Sequence, residues 1–149
     1  ILTKEGPKLI EYNCRFGDPE AQVLMMRLKD DLVALLLACC DGTLDKVELN
    51  WDRRTALGVV MAAGGYPDAP RKGDVITGLP AEDANSVCFH AGTVLENKQV
   101  ITAGGRVLCV TALGDNVKQA QKHAYDALVG IHFDGMQYRR DIGHRAVKR

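Results

Sequence analysis

The sequence predicts an α+β chain in which a β-hairpin and two helices are followed by a small, mainly antiparallel β domain with one packed helix. Three observations carry this. Two helix-like stretches with N-terminal capping residues lie before residue 41. From residue 55 onward the texture changes to short β-like runs punctuated by Gly-Gly and Glu-Asn-Lys turns. A single later segment then returns to helical spacing.

In order along the chain, Ile1 and Leu2 lead into Thr3-Lys4-Glu5-Gly6-Pro7, a hairpin turn, and residues 8–13 alternate as its second strand. Alternation puts Leu9, Glu11 and Asn13 on one face, which Arg15 rejoins if the chain stays extended. Asp18 is the expected cap of the first helix, with Pro19 at its first position and Glu20 at the positive end of the dipole. That helix runs to about Leu28. Asp30 or Asp31 caps a second helix over residues 32–40, stopped by Asp41-Gly42. A charged connection over 43–53 places a domain boundary near residue 50, dividing 1–50 from 51–149, with Trp51 anchoring the linker. The β-like runs are 56–62, 74–77, 86–91, 99–102 and 106–112. Asp115 or Asn116 opens a helix carrying Val117, Ala120, Ala124 and Leu128 on one face, and residues 137–140 could add an edge strand.

Composition removes several function classes. The chain has 149 residues with 19 Lys plus Arg against 19 Asp plus Glu, so net charge supplies no footprint for nucleic acid. With 5% aromatic residues there is no base-stacking platform either. No apolar run reaches the ~18 residues of a membrane span. Five cysteines without a CxxC pair and four scattered histidines give no zinc pattern and point to a reducing, cytoplasmic setting. The start at Ile1, already strand-like, leads us to expect a fragment of a longer chain.

Among candidate chemical residues, Glu11 and Asn13 offer one anionic and one neutral hard oxygen on one strand face, ligands suited to Mg²⁺. By spacing alone a solvated strand face is the ordinary reading of such a pair. Arg15 is placed to stabilise charge on a phosphoryl or acyl phosphate oxygen, or to make a surface ion pair. In the second segment, Gly104-Gly105-Arg106 opens a strand, where the glycines would admit a phosphate to the backbone and Arg106 would pair with it. A glycine hairpin with an exposed arginine is the plain alternative. Gly64-Gly65-Tyr66-Pro67 reads as a turn, since no helix follows it to add a dipole.

The string Glu11-Tyr-Asn-Cys-Arg-Phe-Gly-Asp-Pro-Glu20 resembles the metal-binding strand of the ATP-grasp superfamily through its Glu-x-Asn-x-Arg signature. Its continuation is similar to one family within it, the glycinamide ribonucleotide synthetases. Gly58-Val-Val-Met-Ala-Ala-Gly-Gly-Tyr-Pro67, Lys72-Gly-Asp-Val-Ile76, Phe89-His-Ala-Gly-Thr93, Thr102-Ala-Gly-Gly-Arg-Val-Leu-Cys-Val-Thr-Ala-Leu-Gly114 and Arg139-Arg-Asp-Ile-Gly143 resemble that family's C-terminal domain in the same order. The resemblance implies that residues 1–50 end an ATP-grasp domain and that the parent enzyme joins glycine to 5-phosphoribosylamine through glycyl phosphate, consuming ATP, in purine biosynthesis. It implies Mg²⁺ or Mn²⁺ on Glu11 and Asn13, Arg15 at the transferring phosphoryl group, and Asp18, Gly104, Gly105 and Arg106 at substrate. For Asp18 a partner for a substrate amine and a helix cap stand side by side. The resemblance further implies a cytoplasmic enzyme, monomeric at full length, whose lid, phosphate-binding lysine and adenine pocket lie upstream, so that this piece alone is inactive. A non-catalytic α+β remnant or interaction module, or an ATP-grasp ligase with another amine acceptor, are the competing readings.

Overall fold

The computed structural model describes residues 1–12, 14–81 and 83–148. Its centre is a four-stranded antiparallel sheet in the order β4-β7-β3-β8, formed by β3 (Thr55–Ala62), β4 (Ser86–His90), β7 (Arg106–Gly114) and β8 (Gln137–Tyr138). Leu57, Val59 and Met61 lie opposite Ala112, Val110 and Leu108, all on one face. Against that face packs α3 (Val117–Leu128), which buries Ala120, Ala124 and Leu128 completely or nearly so. The small residues of α3 let the helix approach closely, and Asn116 opens it by accepting from the Gln119 amide at 3.0 Å, as the capping pattern predicts.

The opposite face carries Gly58, Val60, Cys109 and Thr111. There the first helix, α1 (Glu20–Arg27), crosses β3 and β7, with Val23 seated over the bare Cα of Gly58. The sheet is therefore covered by a helix from each segment. The second helix, α2 (Leu32–Cys40), begins where the sequence places it: Asp31 accepts from the Val33 amide at 2.8 Å. The chain then passes a 3₁₀ turn, Leu44–Lys46, and returns beside the end of α1, with Lys29 N–H donating to Asn50 at 3.0 Å and Asp52 N–H to Arg27 at 2.7 Å. Trp51 bridges to Leu28 and closes an apolar groove between α1 and α2, which is the anchoring the sequence suggests.

Several expectations need correction. The N-terminal hairpin is reduced to β1 (Leu2–Thr3) and β2 (Gly6–Pro7), so Gly6 and Pro7 belong to a strand rather than the turn, and residues 8–12 form no strand. A strand needs a hydrogen-bonding neighbour, and among the described residues that pairing stops at Lys8, which exchanges hydrogen bonds with Ile1 at 2.8 Å; Leu9, Ile10 and Tyr12 are exposed. Asn13 lies outside the described residues.

Asp18 does not cap α1, and Pro19 flanks the helix rather than opening it. Glu20 takes the capping part, accepting from the Gly17 amide at 3.0 Å. Gly104-Gly105 is a corner rather than a hairpin, because the strands on either side belong to different sheets: β6 (Gln99–Thr102) pairs with β5 (Thr93–Glu96), not with β7. The unpredicted β5 forms a hairpin with β6 through Asn97 and Lys98, whose φ of 48° and 65° supply the left-handed turn. Residues 74–77 contribute isolated bridges rather than a strand, and a short helix, α4 (His144–Val147), follows β8. No helix of the described residues is long and apolar enough to cross a membrane.

Candidate functional site

The crossing of α1 over the sheet brings residues far apart in sequence to one seam. Asp18, just before α1, and Arg106, the first residue of β7, form an ion pair with Nε to Oδ2 at 3.0 Å. One carboxylate oxygen of Asp18 is thus turned to Arg106, and the other, Oδ1, accepts from Gln22 Nε2 at 2.8 Å. Gln22 sits one helical turn after Asp18, the i,i+4 spacing at which side chains meet on one helix face. These contacts explain why Asp18 leaves the cap: Oδ2 is turned across the seam to Arg106 and Oδ1 to the Gln22 side chain. Pairing at half-exposed positions contributes little to stability by itself.

Beside this pair lies a groove of about 430 Å³. Its floor is the α1 side of the sheet, Val60 and Ala62, and its walls are Pro19, Tyr66, Arg106 and the edge residues Gln137, Tyr138 and Arg139. The two wall arginines differ. Arg139 is forked onto Asp141 at 2.9 and 2.7 Å, and that contact holds the Asp141 carboxyl below its ordinary range. Arg106 lines the groove and pairs with Asp18 through Nε, and its guanidinium makes no hydrogen bond to other described residues, so it has donors to spare. A half-held guanidinium over an apolar floor is suited to a phosphate or carboxylate.

The glycines before Arg106 have packing reasons of their own. A Cβ on Gly105 would stand 2.5 Å from the Tyr66 ring, and one on Gly104 would stand 3.1 Å from Gly92 Cα. The Gly104 amide donates to Gly92 at 3.1 Å. These glycines place Tyr66 and Arg106 on the same wall. Gly64-Gly65-Tyr66-Pro67 is a turn, as the sequence suggests, yet it delivers Tyr66 to the groove.

The other candidates lie apart from this seam in the irregular run before α1. Glu11 is exposed and makes no ion pair or hydrogen bond to the described residues. Arg15 is exposed, donates to the neighbouring Phe16 carbonyl at 3.0 Å, and shares an open depression with Cys14, Phe16 and Glu20. Among the described residues no three His, Cys, Asp or Glu side chains gather into a metal cage. One uncommitted carboxylate does fit a Mg²⁺ ion that takes most of its oxygens from substrate phosphates and water.

Thiol chemistry has no support at Cys88 and Cys109: burial pushes the Cys88 thiol up to about 11 and raises that of Cys109. Sequence reasoning missed Gln22, Tyr66, Gln137, Tyr138 and Arg139 as a group. The only local signal was Gln22 four residues after Asp18; the rest meet through strand pairing.

Comparison with known proteins supplies the context. The family model described as "Phosphoribosylglycinamide synthetase, C domain" matches residues 56–145. The chain is 62% identical to the phosphoribosylamine–glycine ligase of Ralstonia nicotianae, covering 96% of this chain and 34% of that protein. It is 57% identical to the enzyme of the same name from Escherichia coli K12, covering all of this chain and 35% of that protein. The crystal structure of the Thermotoga maritima phosphoribosylamine–glycine ligase superposes with a TM-score of 0.80 at 38% identity, over 95% of this chain and 35% of that one. The chain therefore spans about a third of the length of the relatives it matches.

Proposed function

Because the chain belongs to the phosphoribosylglycinamide synthetase family through its C domain, we propose that it is the C-terminal portion of an ATP-dependent ligase that joins glycine to 5-phosphoribosylamine, with the groove at Arg106 taking the ribose phosphate. The observation that carries the groove assignment is the Arg106 guanidinium: it pairs with Asp18 through Nε at 3.0 Å, and its Nη groups make no hydrogen bond to the described residues. The names of the relatives support the reaction.

In this reading a glycine carboxylate oxygen attacks the γ-phosphorus of ATP, the bond to the ADP oxygen breaks, and glycyl phosphate forms. The amine of phosphoribosylamine then attacks the acyl carbon, phosphate leaves, and the nitrogen loses a proton. Little covalent help from protein is needed, so the residues act by positioning and by balancing charge. Glu11, with Asn13, would hold Mg²⁺ or Mn²⁺, which when bound neutralises phosphate charge. Arg15 would swing from its local carbonyl contact to the transferring phosphoryl oxygens. Asp18 holds Arg106, and each of its oxygens keeps a second lone pair for a substrate amine. Tyr66 and Tyr138 wall the ribose, and the apolar floor excludes water from one side.

A boundary near residue 50 belongs to the same proposal, as do a nucleotide pocket and lid supplied by the upstream two-thirds, a cytoplasmic location and a monomeric parent. The apolar groove of α1, α2 and Trp51 supports that division. α2 has no polar side chain on any face, and a helix apolar all round belongs in an interior.

The test is phosphate release by the full-length protein with ATP, Mg²⁺, glycine and freshly generated phosphoribosylamine. Release should require both glycine and the amine, collapse in Glu11→Gln, and in Arg106→Ala show a rise in KM for phosphoribosylamine of roughly a hundredfold, the loss of a charge-assisted fork. Release with a different amine in place of phosphoribosylamine would retain an ATP-dependent ligase and remove this substrate.

A further inference from the structure

Gln22 is the residue that the assignment of the groove leaves unexplained. Its Nε2 donates to Asp18 Oδ1 at 2.8 Å, while its carbonyl oxygen is shielded from solvent with no hydrogen-bond partner among the described residues. A stranded buried acceptor is destabilising. The amide cannot relieve this by flipping, because its oxygen would then face the Asp18 carboxylate. For stability alone, an unbranched apolar side chain of the same length would serve better at this half-buried helix position.

From this we infer that Gln22 is a positioning residue for phosphate recognition: it holds one oxygen of Asp18 so that the other holds Arg106 Nε, and so sets the direction in which the Arg106 fork meets the substrate's phosphate. The relay runs from α1 to β7, across the seam between the two segments, and the groove lies at its end. Without the Gln22 amide, Asp18 is free to rotate about its side-chain bonds, and a single ion pair at half-exposed positions does not hold one geometry. The Arg106 fork would then sample directions in which only one Nη group, or neither, reaches a phosphate oxygen. The inference rests on the ribose-phosphate reading of the groove.

The test uses the full-length protein, with two variants at position 22 and one at 106. Gln22→Met deletes both the donor and the stranded acceptor at nearly constant length. It is expected to leave the melting temperature unchanged or raised, whereas a structural role for Gln22 predicts a fall. KM for phosphoribosylamine should rise roughly tenfold, with kcat and the KM values for ATP and glycine unchanged. Gln22→Glu should be worse, because it sets a second carboxylate against Asp18, and lowering the pH toward 5 should partly restore it as that carboxyl takes up a proton.

In an Arg106→Ala background, Gln22→Met should add nothing, since the two act in series. Calorimetric titration with ribose 5-phosphate gives the second readout, with the same roughly tenfold weakening in Gln22→Met. A lowered melting temperature with unchanged KM and unchanged ribose 5-phosphate affinity overturns the inference, as does full additivity with Arg106→Ala. If the full-length protein makes no glycinamide ribonucleotide but Gln22→Met still weakens ribose 5-phosphate binding, the relay stands and the proposed reaction falls.

Discussion

Gly114 ends β7 directly beneath the first turns of α3, and replacing it with alanine tests the packing that supports the seam. A Cβ there would lie 2.3 Å from the Ala120 amide nitrogen, 2.8 Å from Gln119 C and 2.9 Å from Ala120 Cα. All three are backbone atoms, so no rotamer change relieves the contact, and the closest is more than an ångström inside the roughly 3.5 Å of ordinary contact. The helix must lift, and lifting it opens the interface in which Ala120 and Ala124 are wholly buried.

Overpacking of this kind costs up to about 3 kcal/mol, and loosened α3 contacts add about 1 kcal/mol. The entropy that alanine removes from the unfolded chain returns about 0.4–1 kcal/mol. The net is about 3 kcal/mol, or a fall of roughly 6–12 °C in melting temperature for a chain of this size. Thermal denaturation followed by circular dichroism reads it. Gly73→Ala is the control: its φ is +86° but no atom stands within 4 Å of the added Cβ, so it carries only left-handed strain of roughly 1–2 kcal/mol. A melting temperature for Gly114→Ala within about 2 °C of the parent, or a larger loss from Gly73→Ala, would refute the steric argument.

At the seam, Gly58→Val should push α1 off the sheet, since even one carbon there meets Val23 Cγ2 at 3.2 Å and Cys109 Sγ at 3.1 Å; ribose 5-phosphate affinity should fall with stability. Asp31→Ala removes the cap on Val33 N–H and should cost about 1 kcal/mol by urea titration. Arg54 holds the Asp52 carboxyl down to about 2 against an ordinary 3.8, so its stabilisation is complete above pH 3.8 and is lost as pH falls through about 2; Asp52→Asn should flatten that part of the acid limb. In this chain the exposed thiols of Cys14, Cys39 and Cys40 should react rapidly with a disulfide reagent at pH 8, while Cys88 and Cys109 react only on unfolding.

The helices were legible because their signals are local: Asp31 and Asn116 cap where the sequence places them, and the apolar spacing of Val117, Ala120, Ala124 and Leu128 defines the buried stripe of α3. The run 9–12 was not, because alternation describes a strand only when a neighbour supplies hydrogen bonds, and those stop at Lys8. Asp18 shows the same limit from the other side. Its position before Pro19 is a cap signal, yet an ion pair with Arg106, 88 residues away, takes its carboxylate.

By itself the sequence determined the α+β class, the main helices and strands with their approximate bounds, and the family, through motifs that recur in order from residue 11 to residue 143. These are properties of neighbouring residues, set by side-chain period, capping and turn chemistry. Only the tertiary structure decided the strand order β4-β7-β3-β8, the crossing of α1 over Gly58, and the meeting of Gln22, Asp18 and Arg106 beside Tyr66 and Tyr138. Those contacts join positions whose separation along the chain carries no periodic signal, and they exist only once the sheet has fixed which faces the two helices can cover.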